Sequence, residues 1–427
     1  MADNENQRIM VENGNNMDSN NTNSRIPKLR FPGFTGEWEY VNGNDLFEPV
    51  SNKEHNSDLP ILALTQDQGA VPRYEINYNV IVSDKSVAGY KVVEVDDFII
   101  SLRSFQGGIE YSRYKGLCSP AYIVLRKKSK NLCSDFYRIY FKSFNYIQEL
   151  NKNLEGIRDG KMISYRQFSD IKLPKPSFAE QQKIASCLSE LDDLITAQSQ
   201  KVDALKEKKK GLMQQLFPQK GETVPRLRFP GFTGDWTEKK LREVFSRITR
   251  KNSENNKNVL TISAQYGLIN QLDFFKKSVS AMDLTGYYLL HKGEFAYNKS
   301  SSQGRPVGAI KPLKLYDKGV VSTLYMCFKC KDSSEIGFWE QYFDAGMLDK
   351  EIASIAQEGA RNHGLLNIST RGFFELSVIV PTLPEQRKIA SCLSALDDTI
   401  SAETEKLEVL KSHKKGLMQQ LFPQPIK

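Results

Sequence analysis

The side chains of this chain that could do chemistry are of kinds that read or hold a partner. Phe98-Ile-Ile-Ser-Leu-Arg-Ser-Phe-Gln-Gly-Gly and Phe295-Ala-Tyr-Asn-Lys-Ser-Ser-Ser-Gln-Gly-Arg each look like a strand running into a polar, glycine-containing loop. Arg103, Ser104, Gln106, Asn298, Lys299, Ser301, Gln303 and Arg305 are the types that address base edges or hold phosphates. The same residues would also suit a solvated hairpin tip.

Reactive constellations are missing from the sequence. It has no Gly-x-x-x-x-Gly-Lys-Ser/Thr phosphate loop and no His-Glu-x-x-His zinc helix. Without a Pro-Pro dipeptide it lacks the Asn/Asp-Pro-Pro-Tyr/Phe motif of adenine methyltransferases, and without Pro-Asp it lacks the usual opening of a nuclease carboxylate motif. Cys327-Phe-Lys-Cys330 is a lone pair with no second pair at zinc spacing, so it reads as structural and no metal site is expected. His55, His291, His363 and His413 are the whole histidine complement.

Composition frames these residues. The 427 residues carry a formal charge of +8, with 40% apolar and 26% charged side chains, which excludes wholesale disorder. The excess sits in residues 25–176 (+4) and 221–380 (+5), a mild surplus that suits a polyanion without demanding one. No run approaches the ~20 apolar residues of a membrane helix, and no apolar signal segment is visible. A cytoplasmic chain with six reduced thiols is expected.

The chain is written twice. Lys28-Leu-Arg-Phe-Pro-Gly-Phe-Thr-Gly-Glu-Trp38 returns as Arg226-Leu-Arg-Phe-Pro-Gly-Phe-Thr-Gly-Asp-Trp236, and 178–219 returns as 383–424 with 28 of 42 positions identical. The repeat gives a domain plan: an Asn-rich leader at 1–24 expected to be disordered, a globular domain at 25–176, a helix at 177–218 and a linker at 219–225. A second domain at 226–381, a second helix at 382–423 and a tail at 424–427 complete it. Strand-like runs and short helices near Asp135–Leu150 and Phe338–Ala356 predict mixed α+β domains.

Each long segment opens on a capping box, Ser177-Phe-Ala-Glu180 or Thr382-Leu-Pro-Glu385, and closes at Leu-Phe-Pro. Ile184, Leu188, Leu191, Ile195, Val202, Leu205, Leu212 and Leu216 step by fours and threes, with Gln198 and Lys209 in the gaps. Ile389, Leu393, Leu396, Ile400, Leu407, Leu410, Leu417 and Leu421 do the same around Glu403 and Lys414. This 3.5-residue period is a coiled-coil seam. Two copies in one chain make each other the natural partner, in an antiparallel pair. One register sets Lys209 opposite Glu403 and Gln198 opposite Lys414. A helix of this length is ~55 Å long, about one and a half turns of DNA.

The motifs together resemble the specificity (S) subunit of type I restriction-modification systems from about Arg25 to Pro423. They are Leu-Arg-Phe-Pro-Gly-Phe before Trp38 and Trp236, Pro-x-x-x-Glu-Gln-x-Lys-Ile-Ala at Pro176 to Ala185 with Pro381 to Ala390, and the Lys-Lys-Gly-Leu-Met-Gln-Gln-Leu-Phe-Pro endings. The resemblance implies two target recognition domains, each reading half of a split double-stranded DNA sequence, and antiparallel helices that set the spacing. It also implies two modification (M) subunits with S-adenosylmethionine, restriction (R) subunits with ATP and Mg, and no catalysis on this chain. A tandem scaffold joining protein partners without touching DNA is the alternative from another class. A stand-alone nuclease or methyltransferase ranks behind both.

Overall fold

Short β-branched and aromatic runs, broken by glycine and proline, build the same set of strands twice. The computed structural model describes residues 25–423 except 57, 77–86, 153–162, 220, 264–266, 276–282, 302–303, 333, 359–363 and 365. The expected leader and tail lie outside the described residues. In the first globular segment Phe47–Val50, Ile123–Lys127, Phe98–Ile100 and Glu110–Tyr111 form a four-stranded antiparallel sheet in that spatial order. In the second, Phe245–Ile248, Met326–Cys330, Phe295–Asn298 and Ala309–Pro312 repeat the order. Pro49 and Pro312 fall on edge strands, where a missing N–H costs no ladder bond. Smaller pairs also match, with Leu62–Thr65 on Gly69–Pro72 and Leu260–Ser263 on Gly267–Asn270. Glu39–Asn42 pairs with Lys172–Lys175 as Thr237–Lys240 pairs with Ser377–Val380. One α+β topology therefore underlies two segments that share little sequence.

The region expected to be helical near Asp135–Leu150 is two helices, Ser134–Tyr140 and Phe144–Lys152, and its counterpart is Ile336–Asp344 followed by Asp349–Ile355. Their first members carry a shared aromatic block. Phe136-Tyr137-x-x-Tyr140-Phe141 and Phe338-Trp339-x-x-Tyr342-Phe343 are buried, and Trp38 meets Phe136 edge-on as Trp236 meets Phe338, both at 6.0 Å. Phe47 and Phe98 in the first sheet, like Phe245 and Phe295 in the second, close these cores from the strand side.

The long helices are Phe178–Leu216 and Leu383–Leu421, with no break in either. Two compact units result, one of residues to Ala197 with Leu407 onward, the other Gln198–Lys406. Each unit contains a stretch of both helices. In the first, Ile184 and Leu188 share a core with Leu417, Leu421 and Phe422. In the second, Leu212, Leu216 and Phe217 share one with Ile389 and Leu393. The helix stretches therefore run antiparallel within each unit, and every seam position is buried or half-buried.

Two details differ from the sequence expectation. The register is not the one that joins Lys209 to Glu403. Lys209 Nζ lies 2.5 Å from Asp397, Lys414 pairs with Asp192, and Glu403 is held by Gln198 and Lys201. The aspartates flank the seam and reach in for the lysines, an option that counting seam positions alone does not offer. The capping box of the first helix is also half-formed. Ser177 Oγ accepts from Glu180 N at 3.3 Å, while the Glu180 carboxylate is taken by Arg30.

Candidate nucleic-acid interface

The first-unit loop is a locked turn. Ser101–Gly108 follows the strand Phe98–Ile100, and the hydroxyl of Ser104, 1% exposed, accepts from Ser101 N at 2.8 Å. Ser101 Oγ accepts from Arg103 N at 3.2 Å, and Gln106 N donates to the Arg103 carbonyl at 2.9 Å. Gly108 takes φ +82°, and a Cβ there would lie 2.0 Å from the Phe141 carbonyl oxygen, so only glycine fits. A Cβ on Gly107 would strike the Gln66 side chain at 2.7 Å, which places the exposed turn of the Leu62–Thr65/Gly69–Pro72 hairpin against this loop. Leu102, Arg103 and Gln106 are exposed at the outside of the turn, and Arg103 has no carboxylate partner among the described residues. Ser104 is a scaffold of the turn and presents no hydroxyl outward.

Behind the loop, Glu110 forms an ion pair with Lys142 at 2.7 Å. Burial pushes its carboxyl above the ordinary range, and the neighbouring ammonium pulls it part of the way back.

The second-unit loop is arranged differently. Asn298 Oδ1 accepts from Ser300 N at 3.1 Å, the Lys299 carbonyl accepts from Leu366 N at 3.0 Å, and Ser301 N donates to Gly364 O at 2.6 Å. The loop therefore leans on the segment around Gln357–Glu358 and Leu366–Asn367. Arg305 is not free. Its Nη2 lies 3.3 Å from Asp344, which also takes Lys311 at 2.7 Å. It lines a cleft of about 910 Å³ with Lys206, Lys209, Lys210 and Lys350. Gln303 lies outside the described residues. Among the described residues no cluster of three His, Cys, Asp or Glu could hold a metal ion.

The repeated motifs hold each domain to its helix. Arg30 donates from Nε and Nη2 to Glu180 at 2.8 Å each, and Trp38 Nε1 adds a third bond at 3.2 Å. Gln181 accepts from Cys133 N and donates to the Pro176 carbonyl, both at 2.9 Å. Gln386 repeats this with Glu335 N and Pro381 at 3.0 Å. Sequence reasoning quoted these residues but missed this role. It also missed the aromatic block, whose signal was Phe-aromatic-x-x-Tyr-Phe returning after 202 positions.

Twin α+β domains of one topology, each packed on a stretch of both long helices, define the class of fold. The chain belongs to the type I restriction modification DNA specificity domain family, which matches residues 35–207 and 233–412. It is similar to the type I restriction enzyme MjaVIII specificity subunit of Methanocaldococcus jannaschii, 24% identical over 421 residues covering 90% of this chain and 92% of that one. In fold it is similar to the type I restriction-modification S subunit from M. genitalium, with TM-score 0.54, 14% identity, and coverage of 94% of this chain and 100% of that one. A chain from a structure of type I R-M complex assembly gives TM-score 0.52 at 14% identity, covering 90% of this chain and 97% of that one. No helix of the described residues is long and apolar enough to cross a membrane.

Proposed function

We propose that this chain is the DNA-recognition subunit of a type I restriction-modification complex, each globular domain reading one half of a split target. The observation that carries this reading is one topology bearing two different loops. An exposed Arg103 with no carboxylate partner among the described residues, and the Lys299–Ser301 loop with a tethered Arg305, give the copies different donor sets on equivalent strands. Different donors on a shared frame are what two unlike half-sites require.

The paired helices would set how many unspecified base pairs separate the halves and would dock two modification subunits. Methyl transfer from S-adenosylmethionine would belong to those subunits. ATP- and Mg-dependent translocation and cleavage would belong to restriction subunits, with the assembly working in the cytoplasm. The test is to assemble the chain with its modification subunits, expose it to fragmented genomic DNA, and sequence what is retained. Enrichment of one split motif is expected. Retention with no motif, or no retention by a well-assembled complex, contradicts the reading.

A further inference from the structure

A chain with two near-identical helices has a pairing problem. Its first helix could pair with the second, as observed, or with the first helix of another copy of the chain, and likewise for the second. Of the seam positions only two differ between the copies, Val202/Leu407 and Gln198/Glu403, and the first exchange is apolar for apolar. Other polar contacts would survive like-with-like pairing. Lys209 meets Asp397 and Lys414 meets Asp192. These are equivalent pairs in the repeat, so Asp192 of a second copy would serve Lys209 equally well.

The one discriminating position is where the register brings equivalents face to face. Gln198 and Glu403 are 205 positions apart, the offset of the helical repeat, and Gln198 Nε2 donates to Glu403 Oε2 at 2.6 Å and to its carbonyl oxygen at 2.8 Å. Lys201 Nζ lies 2.5 Å from Glu403 Oε1, and its own counterpart is Lys406. Unlike pairing gives each such centre one carboxylate and two lysines. Like-with-like pairing would give one centre two glutamines and two lysines with no carboxylate. The other would set two carboxylates face to face with two Lys406 side chains beside them and no glutamine. Both lose the charge-assisted glutamine–carboxylate bond, and charge accumulates unevenly between them.

We propose that the Gln198–Glu403 difference is a partner-choice device: it makes the seam prefer the unlike copy in its own chain over a second copy of the chain. Specificity of this kind is a difference between two pairings, comparable to the single polar position that selects register and partner in coiled coils.

The test uses the full chain with Gln198→Glu, Glu403→Gln, and the exchange Gln198→Glu/Glu403→Gln. Each is refolded at high concentration as a mixture of two tagged copies and its dimer fraction is read by native mass spectrometry. Both single variants equalise the pairings, so their dimer fraction should rise about tenfold, the loss of one charge-assisted hydrogen bond. The exchange restores one glutamine facing one glutamate, with Lys406 placed for the new carboxylate, and should return to the wild-type value. Domain-swapped dimers keep the unlike pair and would be equally frequent in all four proteins. Equal dimer fractions throughout, or an exchange variant that dimerises like the singles, would overturn the proposal. If Gln198→Glu fails to fold, Glu403→Gln and the exchange still decide it.

Discussion

Arg228 grips Glu385 across 157 positions of sequence, its Nε and Nη2 donating to the two carboxylate oxygens at 2.8 and 2.9 Å. Its Nη1 holds the Gly234 carbonyl at 2.5 Å, so one guanidinium ties the Phe-Pro-Gly-Phe-Thr-Gly loop to the start of the second helix. Arg30 and Glu180 repeat the clamp. The carboxylates are 2% exposed or less, which makes the arginines obligatory partners.

Removing one member of such a pair strands a buried charge, which costs about 3 kcal/mol. Glu385→Ala or Arg228→Ala should therefore lower stability by that order in denaturant unfolding. The double variant should cost much less than the sum. Additive losses would show that the clamp is not a coupled unit.

Arg103 and Arg305 should differ in DNA binding despite their similar place in sequence. Arg103→Gln removes an exposed guanidinium and should weaken binding of the assembled complex to its split target by about 1–3 kcal/mol. Arg305→Gln should cost less binding and more stability, because its partner is Asp344. Anisotropy titrations at several salt concentrations check this. The reverse order would move the interface into the second-unit cleft.

Glu110 gives a pH dependence of definite sign. Its folded carboxyl titrates above the ordinary range because burial disfavours the anion, so the folded state keeps a proton that the unfolded chain has lost. Stability from this group is therefore greatest below the ordinary carboxylate value and falls as pH rises through the folded midpoint. In unfolding experiments from pH 4 to 7, Glu110→Gln should gain on the wild type as pH increases. A constant difference would contradict the assignment.

Thiol accessibility should sort the cysteines. Burial pushes Cys118 and Cys327 up to about 12, and neither is more than 1% exposed. Both should resist maleimide at pH 8 in the native chain, while the partly exposed Cys133 and Cys392 react ahead of them. Rapid loss of the Cys118 thiol would indicate an open first domain.

The helices, the duplication and the antiparallel seam were legible because a 3.5-residue apolar period and repeated motifs act locally along the chain. The register was not. It depends on Asp192 and Asp397, which flank the seam and reach across it, so spacing alone favoured Lys209 with Glu403. The fate of Glu180 was hidden for a related reason. A capping box and a salt bridge to a residue 150 positions away use the same carboxylate, and only tertiary packing decides between them. The loop residues were recognised by type, but whether each faces outward was not. Ser104 turned inward to close its own turn, and Arg305 found Asp344.

The most direct measurement is an adenine-methylation map of cells carrying this chain with its modification subunit, before and after residues 25–176 are exchanged for those of a relative. A split motif in which one half changes and the other half is retained is expected. A motif that changes in both halves, or an active, well-assembled modification subunit that methylates no motif, would contradict it.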